Sequence, residues 1–158
     1  MPRKTTTSLI RTVAPDRRYQ SVLVARLINK SMKDGKKQKA ERAVYAALEE
    51  AAKRLKSDKP AEVFEQAIKN VSPDFEVKSR RVGGANYQIP FPVSGHRQLH
   101  FAYVWLINAA REKKGMPYSE RLCLEIVDAY NQTGTAFKKK EDTHRMAEAN
   151  RAFAHFAR

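Results

Sequence analysis

Apolar positions along this chain recur with two different periods. From Leu23 onward they return every three or four residues over most of the length, the spacing of amphipathic helices; from Phe75 to Val93 they return every second residue, the spacing of strands. The first ~15 residues carry neither period and read as an extended arm. Pro15-Asp16 then opens ordered structure, and Leu23, Val24, Leu27 and Ile28 mark a short first helix, ended by Asp34-Gly35. Ala40, Val44, Ala47, Leu48, Ala51 and Leu55 fall on one face of a second. Ser57-Asp58-Lys59-Pro60 breaks it, and Pro60 suits the first turn of a third helix that buries Val63, Phe64, Ala67, Ile68 and Val71 before Pro73 stops it.

The fourth helix, Arg97 to Lys113, is the most apolar. Leu99, Ala102, Tyr103 and Leu106 form one stripe, and Phe101, Val104, Trp105 and Ile107 cover much of the rest, so several elements should contact it, with Gly115 as its cap. Ser119 is the expected N-cap of a fifth helix with Leu122, Ile126, Ala129 and Tyr130 inward, ending near Gly134. A sixth, from about Lys138, sets Met146, Ala149, Phe153 and Phe156 on one side.

Between the third and fourth helices the period changes. Phe75, Val77 and Ser79 alternate with Glu76, Lys78 and Arg80; after Gly83-Gly84, Tyr87, Ile89, Phe91 and Val93 alternate with Gln88, Pro90 and Pro92. Two alternating runs joined by a glycine pair predict a β-hairpin over about residues 75–93. Its prolines exclude a central strand, and a lone two-stranded ribbon is marginal in water, so this one is expected to project and to be completed by a partner. The predicted fold is mainly α: a six-helix bundle with one projecting hairpin. Residues 1–14 are a basic arm and residues 15–158 a single helical domain.

Charge adds what the pattern cannot. Thirty-one Lys and Arg against 17 Asp and Glu give a net charge of +14, which a polyanion partner would neutralise. The distribution is uneven: no acidic residue occurs from Val77 to Arg111, whereas Leu48 to Glu76 is slightly acidic. One electropositive face therefore opposes a neutral one, and nucleic acid is the inferred partner. The single cysteine, Cys123, forms no internal disulfide and reads as a packed thiol in a reducing compartment. No secretory signal is apparent, and no apolar run approaches the ~20 residues of a membrane span. No nucleophile, P-loop or metal-protease motif occurs, and His96 and His100 lack ligand-spaced companions. The sequence predicts no enzyme, no cofactor and no metal.

Binding chemistry is better supplied. Lys36 and Lys37 open the second helix, where backbone N–H groups and lysines together hold phosphate. Arg80 and Arg81 offer planar bidentate contacts beside glycines. Tyr87 suits stacking on a base and the hairpin's own core equally. Lys138, Lys139 and Lys140 form a further cluster. Several separated clusters suit a shaped RNA surface better than one groove. An architectural DNA-binding protein with a basic β-arm and a pure protein-interaction helical domain are the rival readings.

"DGKK" (Asp34 to Lys37), "VKSRRVGGANYQIP" (Val77 to Pro90) and "KKKEDTHRMAEANRAFAHF" (Lys138 to Phe156) closely resemble the bacterial form of the small-subunit ribosomal protein seven family, with order and spacing agreeing from Pro15 to Phe156. The resemblance implies a six-helix bundle with a hairpin between helices three and four. It implies binding to the 3′ major domain of small-subunit ribosomal RNA and organisation of head assembly. The hairpin would lie near the exit-site transfer RNA and the messenger exit path. Neighbours would be ribosomal proteins eleven, nine, thirteen and nineteen, without a homo-oligomer. Carried over by position, the RNA contacts fall on the arm (Arg3, Lys4, Arg11), on Lys36, Lys37, Lys78, Arg80 and Arg81, and on Lys138 to Lys140.

The chain departs from the family in two places. A basic-proline-x-basic-basic run usual after the hairpin is here Val93-Ser94-Gly95-His96-Arg97, and Val104 stands where a basic residue is common before the helix tryptophan. Arg97 is therefore expected to carry more of the fourth helix's RNA contacts. The chain stops at Arg158, so contacts of a longer tail are not expected. The ~14 residues before Pro15 are short for a targeting peptide, which favours the bacterial cytoplasm over an organelle.

Overall fold

The structure is a computed structural model that describes residues 13–157. Six α-helices, α1 (Val22–Ser31), α2 (Lys37–Arg54), α3 (Pro60–Val71), α4 (Gly95–Glu112), α5 (Tyr118–Tyr130) and α6 (Gly134–Ala149), are followed by a 3-10 segment, Arg151–Ala157. The strands β1 (Phe75–Val82) and β2 (Ala85–Pro92) lie between α3 and α4.

Each helix presents its periodic apolar residues to one shared core. Val24, Leu27 and Ile28 from α1 meet Val44 and Leu48 from α2, Phe64 and Ile68 from α3, Tyr103 and Leu106 from α4, and Leu122 and Ile126 from α5. α5 packs against α2, α3, α4 and α6, while α4 is contacted by α1, α3, α5 and α6, as its apolar girth predicts. The Tyr103 hydroxyl donates to Leu23 O at 3.0 Å, tying α4 to α1. Asp16 organises the approach to α1: its buried carboxylate accepts from the N–H groups of Arg18, Tyr19 and Ser21, and Ser21 then caps the helix.

Several element ends differ from the sequence reading. α4 begins at Gly95 rather than Arg97, and its last turn is closed by Lys113, two residues before Gly115. Pro117, not Ser119, precedes α5; Ser119 lies inside the helix. Gly134 opens α6 and does not close α5, whose C-terminal turn uses Gln132 at φ +58. α6 stops at Ala149, so Met146 and Phe156 do not share a helical stripe. Met146 is exposed, Tyr130 is exposed too, and α6 buries Ala136 and Ala147 instead.

β1 and β2 pair antiparallel in flush register, Phe75 opposite Pro92 and Val82 opposite Ala85. Gly83 and Gly84, at φ +57 and +92, supply the two positive φ angles that a tight primed turn requires. The ribbon's completion differs from expectation. It is covered from within the chain, because α6 packs on β1 and the 3-10 segment packs on β2, burying Ile89 and Pro90.

Candidate nucleic-acid interface

Strand geometry decides what the hairpin cations can do. Cross-strand partners share a face, so Glu76, Lys78 and Arg80 lie with Phe91, Ile89 and Tyr87; Arg81 lies on the other face with Asn86. Arg80 and Arg81, adjacent in sequence, therefore address opposite sides of the ribbon. Both are exposed. Arg80 Nη1 donates to Phe156 O at 2.8 Å, while among the described residues Arg81 makes no ion pair.

Glu76 organises the hairpin's base. Its buried carboxylate holds Lys78 Nζ at 2.7 Å on one oxygen and Arg97 Nε at 2.7 Å on the other. Burial alone would raise its proton affinity, but the hydrogen bonds from Lys78 and Arg97, with their charges, outweigh burial and hold it below the usual carboxylate range. Lys78 also stands 4.9 Å over the Phe91 ring, and Arg97 5.0 Å over Phe101. Glu76 thereby joins two cations that the sequence places nineteen residues apart. Beside them opens a groove of about 330 Å³ with Phe75, Phe101 and Trp105 among its walls.

The other predicted residues separate. Lys36 and Lys37 stand exposed at the start of α2, whose first turn has no acidic side chain, although Asp34 lies 3.8 Å from Lys36. Lys37 borders a cleft that residues 13–17 also line. Arg3, Lys4 and Arg11 lie outside the described residues. Tyr87 is half-buried, its ring centroid 5.0 Å from Phe153 and 5.9 Å from Phe156, which favours the hairpin-core role of its two sequence readings. The lysine cluster of α6 divides: Lys138 is exposed, Lys139 lies 3.8 Å from Glu112, and Lys140 turns inward to donate to Asn70 O at 2.7 Å.

Asn70 gave no signal in the sequence. Buried at the end of α3, it donates from Nδ2 to the carbonyls of Ala129 and Tyr130 and accepts from Gln66. It supplies donors to the last two carbonyls of α5, of which Ala129 O also accepts from Gln132 N–H at 3.2 Å. Arg26 and Lys30 of α1 also gave no signal, because each stands alone in the sequence without a neighbouring basic residue, and His100 was weighed only as a metal ligand beside His96. Among the described residues, no helix is long and apolar enough to cross a membrane.

This arrangement is a positively charged ribbon and helix junction with aromatic walls, suited to phosphate and base contacts. Comparison with known proteins agrees. The family model described as "Ribosomal protein S7p/S5e" matches residues 2–151. The small ribosomal subunit protein uS7 of Chloroflexus aggregans is 57% identical over 148 residues, covering 94% of each chain. That of Kosmotoga olearia is 59% identical over 146 residues, covering 92% of this chain and 94% of the relative. That of Thermotoga petrophila is 57% identical over 147 residues, covering 93% and 94%. With the match spanning nearly the whole chain, hairpin included, the chain belongs to the ribosomal protein S7p/S5e family, whose members are structural and non-enzymatic components of the ribosome.

Proposed function

We propose that this protein, a structural constituent of the small ribosomal subunit, binds the 3′ major domain of the small-subunit ribosomal RNA and organises assembly of the head. In that place its hairpin lies near the exit-site transfer RNA, the messenger exit path and ribosomal protein eleven, with ribosomal proteins nine, thirteen and nineteen as its other neighbours, in a bacterial cytoplasm. The contacts are assigned to Lys36, Lys37, Lys78, Arg80, Arg81, Arg97, Lys138 and Lys139, with Arg3, Lys4 and Arg11 in the arm. Lys140 and Tyr87 contribute chiefly by holding the surface in shape.

The observation that carries this reading is the hairpin itself. Arginines on both of its faces are exposed, and no carboxylate follows them in sequence until Glu112. Binding a transcript of the 3′ major domain across a salt series tests it. Roughly eight phosphate contacts give log K against log salt a slope of about −6 to −7. A flat response, or a preference for duplex DNA at equal salt, overturns it. Arg81→Ala should weaken binding with an unchanged circular dichroism spectrum.

A further inference from the structure

Lys30 on α1 and His100 on α4 are in direct contact, Lys30 Nζ standing 3.1 Å from His100 Nδ1. An ammonium group has no lone pair, so Lys30 donates and the imidazole Nδ1 accepts. That contact requires a neutral ring with its proton on Nε2.

Among the described residues, no acid is paired with either group. The charged groups whose fields reach His100 are Lys30, Arg97 and His96; the one that reaches Lys30 is Arg26. The carboxylates on this side are occupied, Glu76 by Lys78 and Arg97, and Asp74 by the Gln98 amide at 3.4 Å. Burial and then the neighbouring cations lower the proton affinity of both Lys30 and His100. A charged imidazole here would stand against the Lys30 ammonium, and His100 avoids that repulsion by remaining neutral. His100 is exposed, so a ligand can reach it.

We propose that Lys30 and His100 form a backbone-phosphate site for RNA at the α1–α4 junction, completed by uptake of one proton from solvent at His100 Nδ1. As a phosphate docks, the Lys30 ammonium turns from the ring to a phosphate oxygen. His100 Nδ1, freed of its donor, takes a proton and donates it in a second hydrogen bond to the same group. No covalent bond changes. The site rests on the RNA-binding reading above, and it restores positive charge to the helix whose leading basic run has thinned to Arg97.

Because the bound form carries the extra proton, affinity rises as pH falls through the range between the free and the bound His100 titrations. Binding of the 3′ major domain transcript, measured from pH 8 to pH 6 at fixed salt, should tighten for the wild-type chain by up to roughly tenfold per unit of difference between the two titrations. His100→Gln should flatten that profile while His144→Gln keeps it. Lys30→Gln should make the salt slope shallower by about one. NMR titration of the His100 ring should show a higher midpoint in the complex than in the free protein. The proposal is overturned if His100→Gln and wild type share one pH profile, if Lys30→Gln leaves the slope unchanged, or if the ring titrates identically with and without RNA. In those cases a steep salt dependence of the wild-type chain leaves the RNA-binding reading standing. Wild-type binding without salt dependence sinks both.

Discussion

The Tyr87 ring sits 5.0 Å from that of Phe153, although sixty-six positions separate them, and this contact docks the C-terminal segment on the hairpin. An aromatic pair of this kind contributes roughly 0.5–1.5 kcal/mol beyond the area it buries. Phe153→Ala should therefore raise hydrogen exchange of the β2 amides by about two- to twelvefold. The amides of α2 and α5 should be unaffected. Uniform acceleration across the bundle would instead make the segment part of the global fold.

The corrected burial pattern separates two residues that both looked apolar and inward. Leu48 is fully enclosed, and Leu48→Ala should cost roughly 2–5 kcal/mol in urea unfolding. Met146 is 51% exposed, so Met146→Ala should stay within about 0.5 kcal/mol.

Glu76 gives the fold an acid limit. Its proton affinity is lowered in the folded chain, so its contribution to stability is complete above the ordinary carboxylate value of 4.5. That contribution is lost as pH falls through the lower folded value. Glu76→Gln should be less stable than wild type at neutral pH, with the difference shrinking below pH 4.5; a difference constant with pH would show that the charge is immaterial.

Gly134 has φ +86, and a Cβ placed there would meet the Asp128 Cβ at 2.7 Å. Gly134→Ala should destabilise by more than about 1 kcal/mol, from strain and clash together. Gly115→Ala has open space at the same sign of φ and should cost less. Equal costs would point to the backbone angle alone.

The helices were legible because each buries one face and so repeats with a helical period, and the hairpin because its period changes at a glycine pair. Endings were less legible. Gln132 takes the left-handed position for which the sequence offered Gly134. The helical period from Met146 also continues past Asn150, where the chain tightens into a 3-10 segment that turns Phe153 and Phe156 onto Tyr87. The candidate site divides in the same way. Runs of like charge announced Lys36-Lys37, Arg80-Arg81 and Lys138 to Lys140. Their partners did not show, because Glu76 reaches Arg97 across twenty-one positions and Asn70 reaches Lys140 across seventy. Such pairings arise only when tertiary structure brings distant elements together.

Asn70 also sets a lever. The hairpin begins at Phe75, five residues beyond it, and its eight-residue strands carry the Gly83-Gly84 tip roughly 25 Å from the base at about 3.3 Å per residue. A tilt of ~10° at the base would sweep the tip through about 4 Å, more than the length of a hydrogen bond. The clamp of Lys140 and the α5 carbonyls on Asn70 anchors the segment from which the ribbon leaves the bundle, and the contacts of Arg80 and Tyr87 with the C-terminal segment hold it further out. The aim of Arg81, far out on that ribbon, is thus set at both of its ends: by the anchor at Asn70 and by the C-terminal segment that its neighbour Arg80 holds.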